Sequence, residues 1–411
     1  MVEFLVATAC YVTFYAAAPG VGPAMQAAAL VLLFGAAAYA VLMNRVKPIP
    51  VSPTELVMYV VGAVYVALGM LREEDAIAAV AMSVAFMCTV VFVSIISRVI
   101  SLERLLDIGA LVALLIELTA IAVDHQKALA ALVPRGGVVG LDRFMPLNVT
   151  PALVGYIFGA GSILMLRRVI VSSDTRERVV MAGGALVAAL FVLAASARSS
   201  LVALVAAASV AITLEFGVRR ILSLTWVKIA GVSFTVFGIT FADKIGSYFT
   251  HMLDLESSTR GVGTGATGRT ELWARGAATL FDNPITFIFG DGFRSSNSGV
   301  IGFSTESSYI SILLDSGAFL GAVIILIFLH SPIKALALTP PQDRHSSSLV
   351  LLAPFLIFLL VESIFSRYLL GIGNPTSLLT LMLLFSLSMR ERAKVQSPWR
   401  GAVMLPKAQN K

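Results

Sequence analysis

Charged residues are scarce in this chain, and so are cysteines and histidines. Only 13% of its 411 residues are charged, while 58% are hydrophobic. A soluble domain usually carries about 25% charged residues, so the composition excludes a soluble globular protein. It predicts an all-α polytopic membrane protein.

Cysteine and histidine usage limits the chemistry further. The two cysteines, Cys10 and Cys88, both lie in apolar runs and indicate no disulfide framework. The four histidines are scattered without the spacing of metal ligands. We therefore expect no metal site.

Apolar runs predict about twelve transmembrane helices, judged against the roughly 20 residues that a bilayer requires. We treat residues 1–411 as a single membrane domain, with an extracytoplasmic loop over 243–304 inserted between late helices. The loop is expected to contain short amphipathic helices. The predicted spans are approximately 2–18, 24–43, 54–71, 76–98, 104–123, 149–167, 178–196, 199–215, 226–242, 305–329, 348–367 and 371–389.

Lysine and arginine positions predict the orientation of the chain. Most of the 30 basic residues fall in one set of alternating loops and in the C-terminal tail. Loops enriched in Lys and Arg face the cytoplasm, so both termini are predicted to be cytoplasmic and the long loop to face outward. Because the basic residues are concentrated on one predicted side of the membrane, the net charge of +6 does not indicate nucleic-acid binding.

The long loop contains a predicted amphipathic helix. Gly268 is a candidate N-cap, and Arg269, Leu272 and Trp273 then share one face at helical spacing. An arginine on the packing face, beside a helix N-terminus that attracts anions, indicates a phosphate clamp. The alternative is an arginine that snorkels at the bilayer surface.

A second arginine, Arg198, lies where two apolar segments meet with only a residue or two between them. Such a break is tolerated in a membrane where the backbone is buried in protein or lines a watery cavity. An ionisable residue there is a functional candidate. The alternative is an ordinary tight turn with an interfacial arginine.

Glu306 is the third candidate, at the point where the chain re-enters the membrane. Its carboxylate could accept a proton from a sugar hydroxyl or orient that hydroxyl, or it could serve the first turn of the next helix. In that helix, Gly317 and Gly321 indicate close helix packing. Glu362 and Arg367 are expected to pair or to line a cavity.

At these residues the chain resembles the bacterial superfamily of O-antigen ligases and polymerases, including exopolysaccharide repeat-unit polymerases. The resemblance covers roughly residues 144–321. It is carried by Phe144-Met-Pro-Leu-Asn148, Ser196-Ala-Arg198-Ser199, Gly268-Arg269-x-x-Leu272-Trp273, Asn283-Pro284, Gly290-Asp-Gly292 and Glu306-Ser-Ser-Tyr309.

This resemblance implies an inverting glycosyltransferase of the bacterial inner membrane that needs neither metal nor cofactor. Its substrates would be donor and acceptor oligosaccharides linked to undecaprenyl diphosphate, used at the outer face. Arg198 and Arg269 would hold the donor diphosphate, and Glu306 would orient or deprotonate the acceptor hydroxyl. Further substrate-binding candidates are Arg260, Arg294, Tyr309, Asn148 and Trp273.

Two other functions remain open at the sequence level. Ligases of this superfamily carry a histidine where this chain has Glu306, which favours a polymerase over a ligase that transfers glycan to a lipid A-core or another acceptor. About twelve helices with charged groups near the membrane also suit a transporter of lipid-linked sugars. Besides membrane lipids, a chain-length regulator and a flippase are candidate partners of a polymerase.

Overall fold

The computed structural model describes residues 1–16, 22–46, 48–72, 76–132, 143–216, 269–295, 301–338 and 349–401. Within these ranges the protein is all-helical. A short 3₁₀ turn at Pro146–Asn148 precedes the sixth helix. The α-helices are α1 (Val2–Tyr15), α2 (Gly22–Leu42), α3 (Pro53–Met70), α4 (Ala76–Ser97), α5 (Leu102–Leu132), α6 (Pro151–Val171), α7 (Thr175–Ala194), α8 (Arg198–Phe216), α9 (Arg269–Asp282), α10 (Pro284–Phe289), α11 (Ser308–Leu338), α12 (Leu352–Phe365) and α13 (Pro375–Gly401).

Seven helices of the described residues are long and apolar enough to cross a membrane, namely α2 to α7 and α11. Three shorter apolar helices, α1, α8 and α12, accompany them. The chain is therefore an all-α polytopic membrane protein. The predicted span 226–242 lies outside the described residues, so the predicted total of about twelve helices stays a prediction.

Contacts between helix starts and helix ends define two distinct ends of the bundle. At the first end, which we call the basic end, ion pairs join the start of α3 to the end of α4 and the start of α5 to the end of α6. At the opposite end, which we call the site end, the start of α8 contacts the end of α12. The starts of α2, α6, α11 and α13 also meet there around one cavity.

Helix α13 runs through the middle of the bundle and contacts α1, α3, α4, α5, α6 and α11. Its residues from 375 to 389 are buried on all sides, as expected for a helix that is apolar all round. Small hydroxyl residues such as Thr380 and Ser386 are buried along it. Such residues allow close approach of neighbouring helices in a membrane.

Arginines at the basic end are held in ion pairs. The guanidinium of Arg167, only 1% exposed, lies 2.7 Å from Asp107 Oδ1, and Arg168 binds both Asp107 and Glu177. Each charge is compensated, because a buried ion without a partner is costly. These arginines therefore have a structural role at this end of the bundle.

Helix α11 is broken at Gly317, where φ is 75° and ψ is 169°. A Cβ on Gly317 would lie 2.3 Å from the Ile288 carbonyl oxygen of α10, and one on Gly290 would lie 2.4 Å from the Asp315 carbonyl oxygen. Only glycine allows this close backbone contact at positive φ. Close helix packing was predicted at Gly317, and its backbone does contact that of α10; this contact also interrupts the helix.

Candidate active site

The turn between α7 and α8 places Arg198 at the site end. Ser196 has a left-handed φ of 49°, which ends α7 and allows α8 to begin two residues later. Helix α6 passes very close, since a Cβ on Gly155 would lie 2.2 Å from Ser200 Oγ. The turn is therefore tight and closely packed. Arg198 is half-buried in it, and Ser199 is buried.

Glu362, in the last turns of α12, lies against the start of α8. Ser199 Oγ donates a hydrogen bond to Glu362 Oε1 at 3.0 Å, and the Glu362 side chain is 0% exposed. A buried carboxylate needs hydrogen bonds or positive charge, and a helix N-terminus supplies both. The start of α8 thus helps to fix Glu362 in a defined position.

Helix α9 brings the second predicted arginine to the same place. The Arg269 guanidinium carbon lies 6.0 Å from the centroid of the Phe365 ring, and the Trp273 ring lies 5.8 Å from that ring. Arg269 is close enough to Glu362 to act on its carboxylate electrostatically. Arg269 and Trp273 therefore share the packing face that their spacing predicts. We call Ser199, Glu362, Arg269, Trp273 and Phe365 the Glu362 cluster.

The indole of Trp273 has a further property. Its Nε1 is buried, and no acceptor for it exists among the residues that the structure describes. Arg275 lies on another face of α9, where it is exposed and its guanidinium carbon lies 4.5 Å from the Phe303 ring centroid. The two arginines of α9 thus have different surroundings.

Glu306 lies in the loop before α11 with a left-handed φ of 49°. Its Oε1 accepts a hydrogen bond from Ser304 Oγ at 2.9 Å, and Ser304 Oγ accepts one from Arg367 Nη1 at 2.8 Å. One hydroxyl therefore bridges the carboxylate and the guanidinium. The carboxylate is half-buried and is held in a fixed position in the loop.

Left-handed backbone conformations are concentrated at this end of the bundle. A non-glycine residue in this region costs about 1–3 kcal/mol, and such residues cluster at functional sites. The described residues contain seven, and all but Asn44 and Leu351 lie at the site end. The five at the site end are Leu147, Asn148, Ser196, Arg294 and Glu306.

A cavity of about 230 Å³, lined by both polar and apolar residues, opens at the site end. Arg294 and Arg367 both line it, and we call it the arginine cavity. Burial and the nearby Arg367 guanidinium lower the pKa of Arg294. Other polar residues in its wall are Thr150, Asp315, Tyr368 and Asn374.

Tyr368 connects the arginine cavity to the Glu362 cluster. Its hydroxyl lies 3.2 Å from Thr150 Oγ1, and its ring lies 5.8 Å from the Tyr156 ring. It is also within electrostatic reach of Arg367, Glu306 and Glu362. Glu306 itself is linked to Arg367, in the wall of the arginine cavity, through Ser304.

The remaining predicted site residues have different surroundings. The hydroxyl of Tyr309 donates a hydrogen bond to the Leu360 carbonyl at 2.8 Å, which ties α11 to α12. Asn148 is exposed beside the start of α6. Arg260 lies outside the described residues.

Some residues of this region were not predicted as site residues. Glu362 and Arg367 were expected only to pair or to line a cavity, and Tyr368 and Asp315 were not considered. The available signal was local, because Arg367 and Tyr368 stand between two apolar runs, followed by Gly371-Ile-Gly-Asn374. Such an interruption at the end of a membrane helix indicates backbone that lines protein or a cavity.

Comparison of the chain with protein-family models and with curated proteins finds no match.

Proposed function

We propose that this chain is a membrane glycosyltransferase that polymerises lipid-linked repeat units. The supporting observation is convergence, because Arg198, Arg269 and Glu306 come from separate segments at one end of the bundle. Ser199 binds Glu362, Arg269 lies beside the Phe365 ring, and Glu306 is within electrostatic reach of Tyr368. A turn, a surface helix and a loop thus meet at the end of α12. The resemblance stated for these residues gives the reaction class.

In the proposed reaction, a sugar hydroxyl of the acceptor attacks the anomeric carbon of the donor glycan. The new glycosidic bond forms as the bond from the anomeric carbon to the diphosphate oxygen breaks, with inversion at that carbon. The lipid diphosphate leaves with the electron pair and gains negative charge. Arg198 and Arg269 stabilise that charge, because guanidinium groups bind phosphate oxygens in pairs and stay protonated.

Glu306 takes the proton of the attacking hydroxyl or orients that hydroxyl in this reaction. A general base must have a defined position before its pKa matters. The hydrogen bond from Ser304 supplies that position. Trp273 offers an aromatic face and a buried indole N–H on the donor side.

The location of the site also suits a lipid-linked substrate. The Glu362 cluster lies at the ends of membrane helices, so a lipid diphosphate can enter sideways from the bilayer while its glycan extends into water. We propose that this end faces the outside of a bacterial inner membrane. The positive-inside rule supports this orientation, because Arg98, Arg167 and Arg390 lie at the basic end.

The test is polymerisation by purified protein in nanodiscs, with lipid-diphosphate-linked repeat units and EDTA present. Wild-type protein should make a ladder of longer lipid-linked glycans. Arg269→Lys should reduce the rate about tenfold or more, because a charge-assisted hydrogen bond is worth about 1.5–3 kcal/mol and an ammonium cannot make the paired contact. Arg275→Lys is the matched control on the same helix and should keep wild-type activity.

The absence of a ladder from well-folded protein with its cognate substrate would refute the polymerase. Transfer of a preformed glycan to a lipid acceptor in the same nanodiscs would then identify a ligase. Movement of the substrate across the bilayer without bond formation would identify a transporter. Equal activity of Arg269→Lys and wild type would remove the diphosphate clamp from the mechanism.

A further inference from the structure

The arginine cavity has no role in the donor site proposed above. Its two arginines come from different segments: Arg294 follows α10, and Arg367 follows α12. A cavity holds one water when it offers about 10–15 Å³, so about 230 Å³ has room for a polar headgroup.

The two guanidinium groups repel each other across this cavity. The pKa of Arg294 is lowered, first by burial and then by the charge of Arg367. Two like charges held close together raise the free energy of the folded protein. An anion between them would reverse this effect, and a phosphate can accept hydrogen bonds from both.

Helix ends add positive potential to the same space. Thr150, Ser308 and Asn374 line the cavity, and they stand at the starts of α6, α11 and α13. Free amides and the macrodipole make a helix N-terminus favourable for anions. The positive potential of these three helix N-termini therefore adds to that of the two arginines.

The carboxylate of Asp315 also lines the cavity, and its charge opposes an anion. It is occupied by the loop, however: it accepts hydrogen bonds from the backbone N–H of Arg294 at 3.1 Å, from the backbone N–H of Ser295 at 3.0 Å and from Ser295 Oγ at 2.6 Å. These donors offset its charge and position Arg294. We therefore assign Asp315 to the support of the loop.

We propose that the arginine cavity binds the diphosphate headgroup of the second lipid-linked substrate, the acceptor. The assignment to the acceptor rests on the proposed polymerase, which must hold two lipid diphosphates at once. Arg367 donates to Ser304, and Ser304 donates to Glu306. The acceptor headgroup would thus bind near Glu306, and the acceptor glycan must turn back to bring its hydroxyl to that carboxylate, while the donor headgroup lies at Arg198 and Arg269.

The test is direct binding to full-length protein in nanodiscs. The probes are inorganic pyrophosphate and undecaprenyl diphosphate, because they distinguish a free anion from a lipid headgroup. Wild-type protein should bind two undecaprenyl diphosphates, and Arg294→Gln and Arg367→Gln should each raise the dissociation constant of only one of them, about tenfold or more. Arg176→Gln, an exposed arginine at the start of α7, is the matched control and should bind as wild type does.

A conservative substitution in the cavity wall tests the same site in case the arginine variants misfold. Gln26→Glu keeps the size of a side chain in the cavity wall and adds a negative charge, so it should also weaken binding. Weak binding of pyrophosphate with tight binding of undecaprenyl diphosphate supports a lipid headgroup. Tight binding of pyrophosphate without binding of undecaprenyl diphosphate would show a site for a free anion and would overturn the assignment to a lipid headgroup.

Two further results would overturn the proposal. One is the absence of binding by either probe to folded wild-type protein. The other is binding that survives Arg294→Gln, Arg367→Gln and Gln26→Glu but is lost in Arg269→Gln, because this would place a single anion site at the donor cluster.

Polymerisation kinetics separate the two proposals. Arg294→Gln should raise the KM for the acceptor and leave that for the donor near its wild-type value. An equal rise for both substrates would contradict the assignment to the acceptor. Probe binding that depends on the arginines, in a protein that makes no polymer, would keep the anion site and refute the proposed function.

Discussion

Glu362 is a buried carboxyl group on which the predicted arginine segments converge. It accepts a hydrogen bond from Ser199, which follows Arg198, and it lies within electrostatic reach of Arg269. A buried carboxylate in such a position can fix the arginines for phosphate binding without itself touching the substrate. We therefore expect Glu362 to be a positioning residue.

Replacement of this carboxylate should reduce donor binding while the fold is retained. Glu362→Gln keeps the shape and the hydrogen bond from Ser199 but removes the ionisable group near Arg269. A hydrogen bond or contact with a charged group is worth about 1.5–3 kcal/mol, so we expect the KM for the donor to rise about tenfold or more. Steady-state polymerisation kinetics at varied donor concentration would measure this.

Glu117→Gln is the control for this variant. Glu117 is also a membrane carboxylate, 2% exposed, but it lies against Gly184 of α7. Its neutralisation should leave both Michaelis constants unchanged. A Glu362→Gln enzyme with wild-type constants, or one in which only kcat falls, would contradict the positioning role.

The junction of α10 with the break in α11 fixes the loop that carries Arg294. Asp291 N–H donates to the Leu314 carbonyl at 2.7 Å, and Gly292 N–H donates to the Asp315 carbonyl at 3.0 Å. Arg72, at the end of α3, donates from Nε to the Asp291 carbonyl at 3.1 Å. The loop is therefore attached to two membrane helices, and its shape depends on the glycines that let these backbones meet.

Gly317→Ala should destabilise the protein. Its φ and ψ fall in a region that is essentially limited to glycine and costs about 1–3 kcal/mol for other residues. The added Cβ would also lie 2.3 Å from the Ile288 carbonyl oxygen, so α10 would have to move. We expect a lower Tm in detergent and weaker binding of undecaprenyl diphosphate, because Arg294 follows α10.

Gly183→Ala provides the comparison within a membrane helix. A Cβ at Gly183 meets no atom within 4 Å among the described residues, and alanine is favoured over glycine in a helix by about 0.5–1 kcal/mol. The Tm of this variant should equal or exceed that of wild type. Equal stability of Gly317→Ala and Gly183→Ala would show that the junction of α10 and α11 is not constrained.

Membrane spans could be predicted from the sequence because each is an apolar run with a clear boundary. The run predicted over 54–71 is α3 (Pro53–Met70), which starts with a capping box at Ser52, and the run predicted over 178–196 is α7 (Thr175–Ala194), which starts after the N-cap Asp174. The amphipathic face of α9 was predictable for the same local reason. These features depend on neighbouring residues only.

Contacts between distant segments could not be predicted in this way. Ser199 and Glu362 are 163 residues apart in sequence, and Thr150 and Tyr368 are 218 apart. Their meeting depends on the order in which the helices pack, which apolar composition does not encode. The break at Gly317 is similar, because its cause is the approach of α10. The arginine cavity was therefore not predictable as one site.

The orientation of the whole bundle decides whether the site can use lipid-linked sugars outside the cell. The two ends can be labelled separately, because Asn148 at the site end and Ser173 at the basic end are both exposed. In a variant without Cys10 and Cys88, Asn148→Cys should react with an impermeant maleimide in intact cells. Ser173→Cys should react only after the membrane is opened, since basic loops face the cytoplasm.

The reverse labelling pattern would place Arg198, Arg269 and Glu306 in the cytoplasm. An enzyme with that orientation could not extend glycans on the outer face, and both the polymerase and the acceptor site would have to be abandoned. The expected pattern also restricts the donor, because nucleotide sugars are absent outside the cell. A lipid diphosphate then remains as the activated leaving group, and it is the group that paired arginines at the ends of membrane helices are suited to bind.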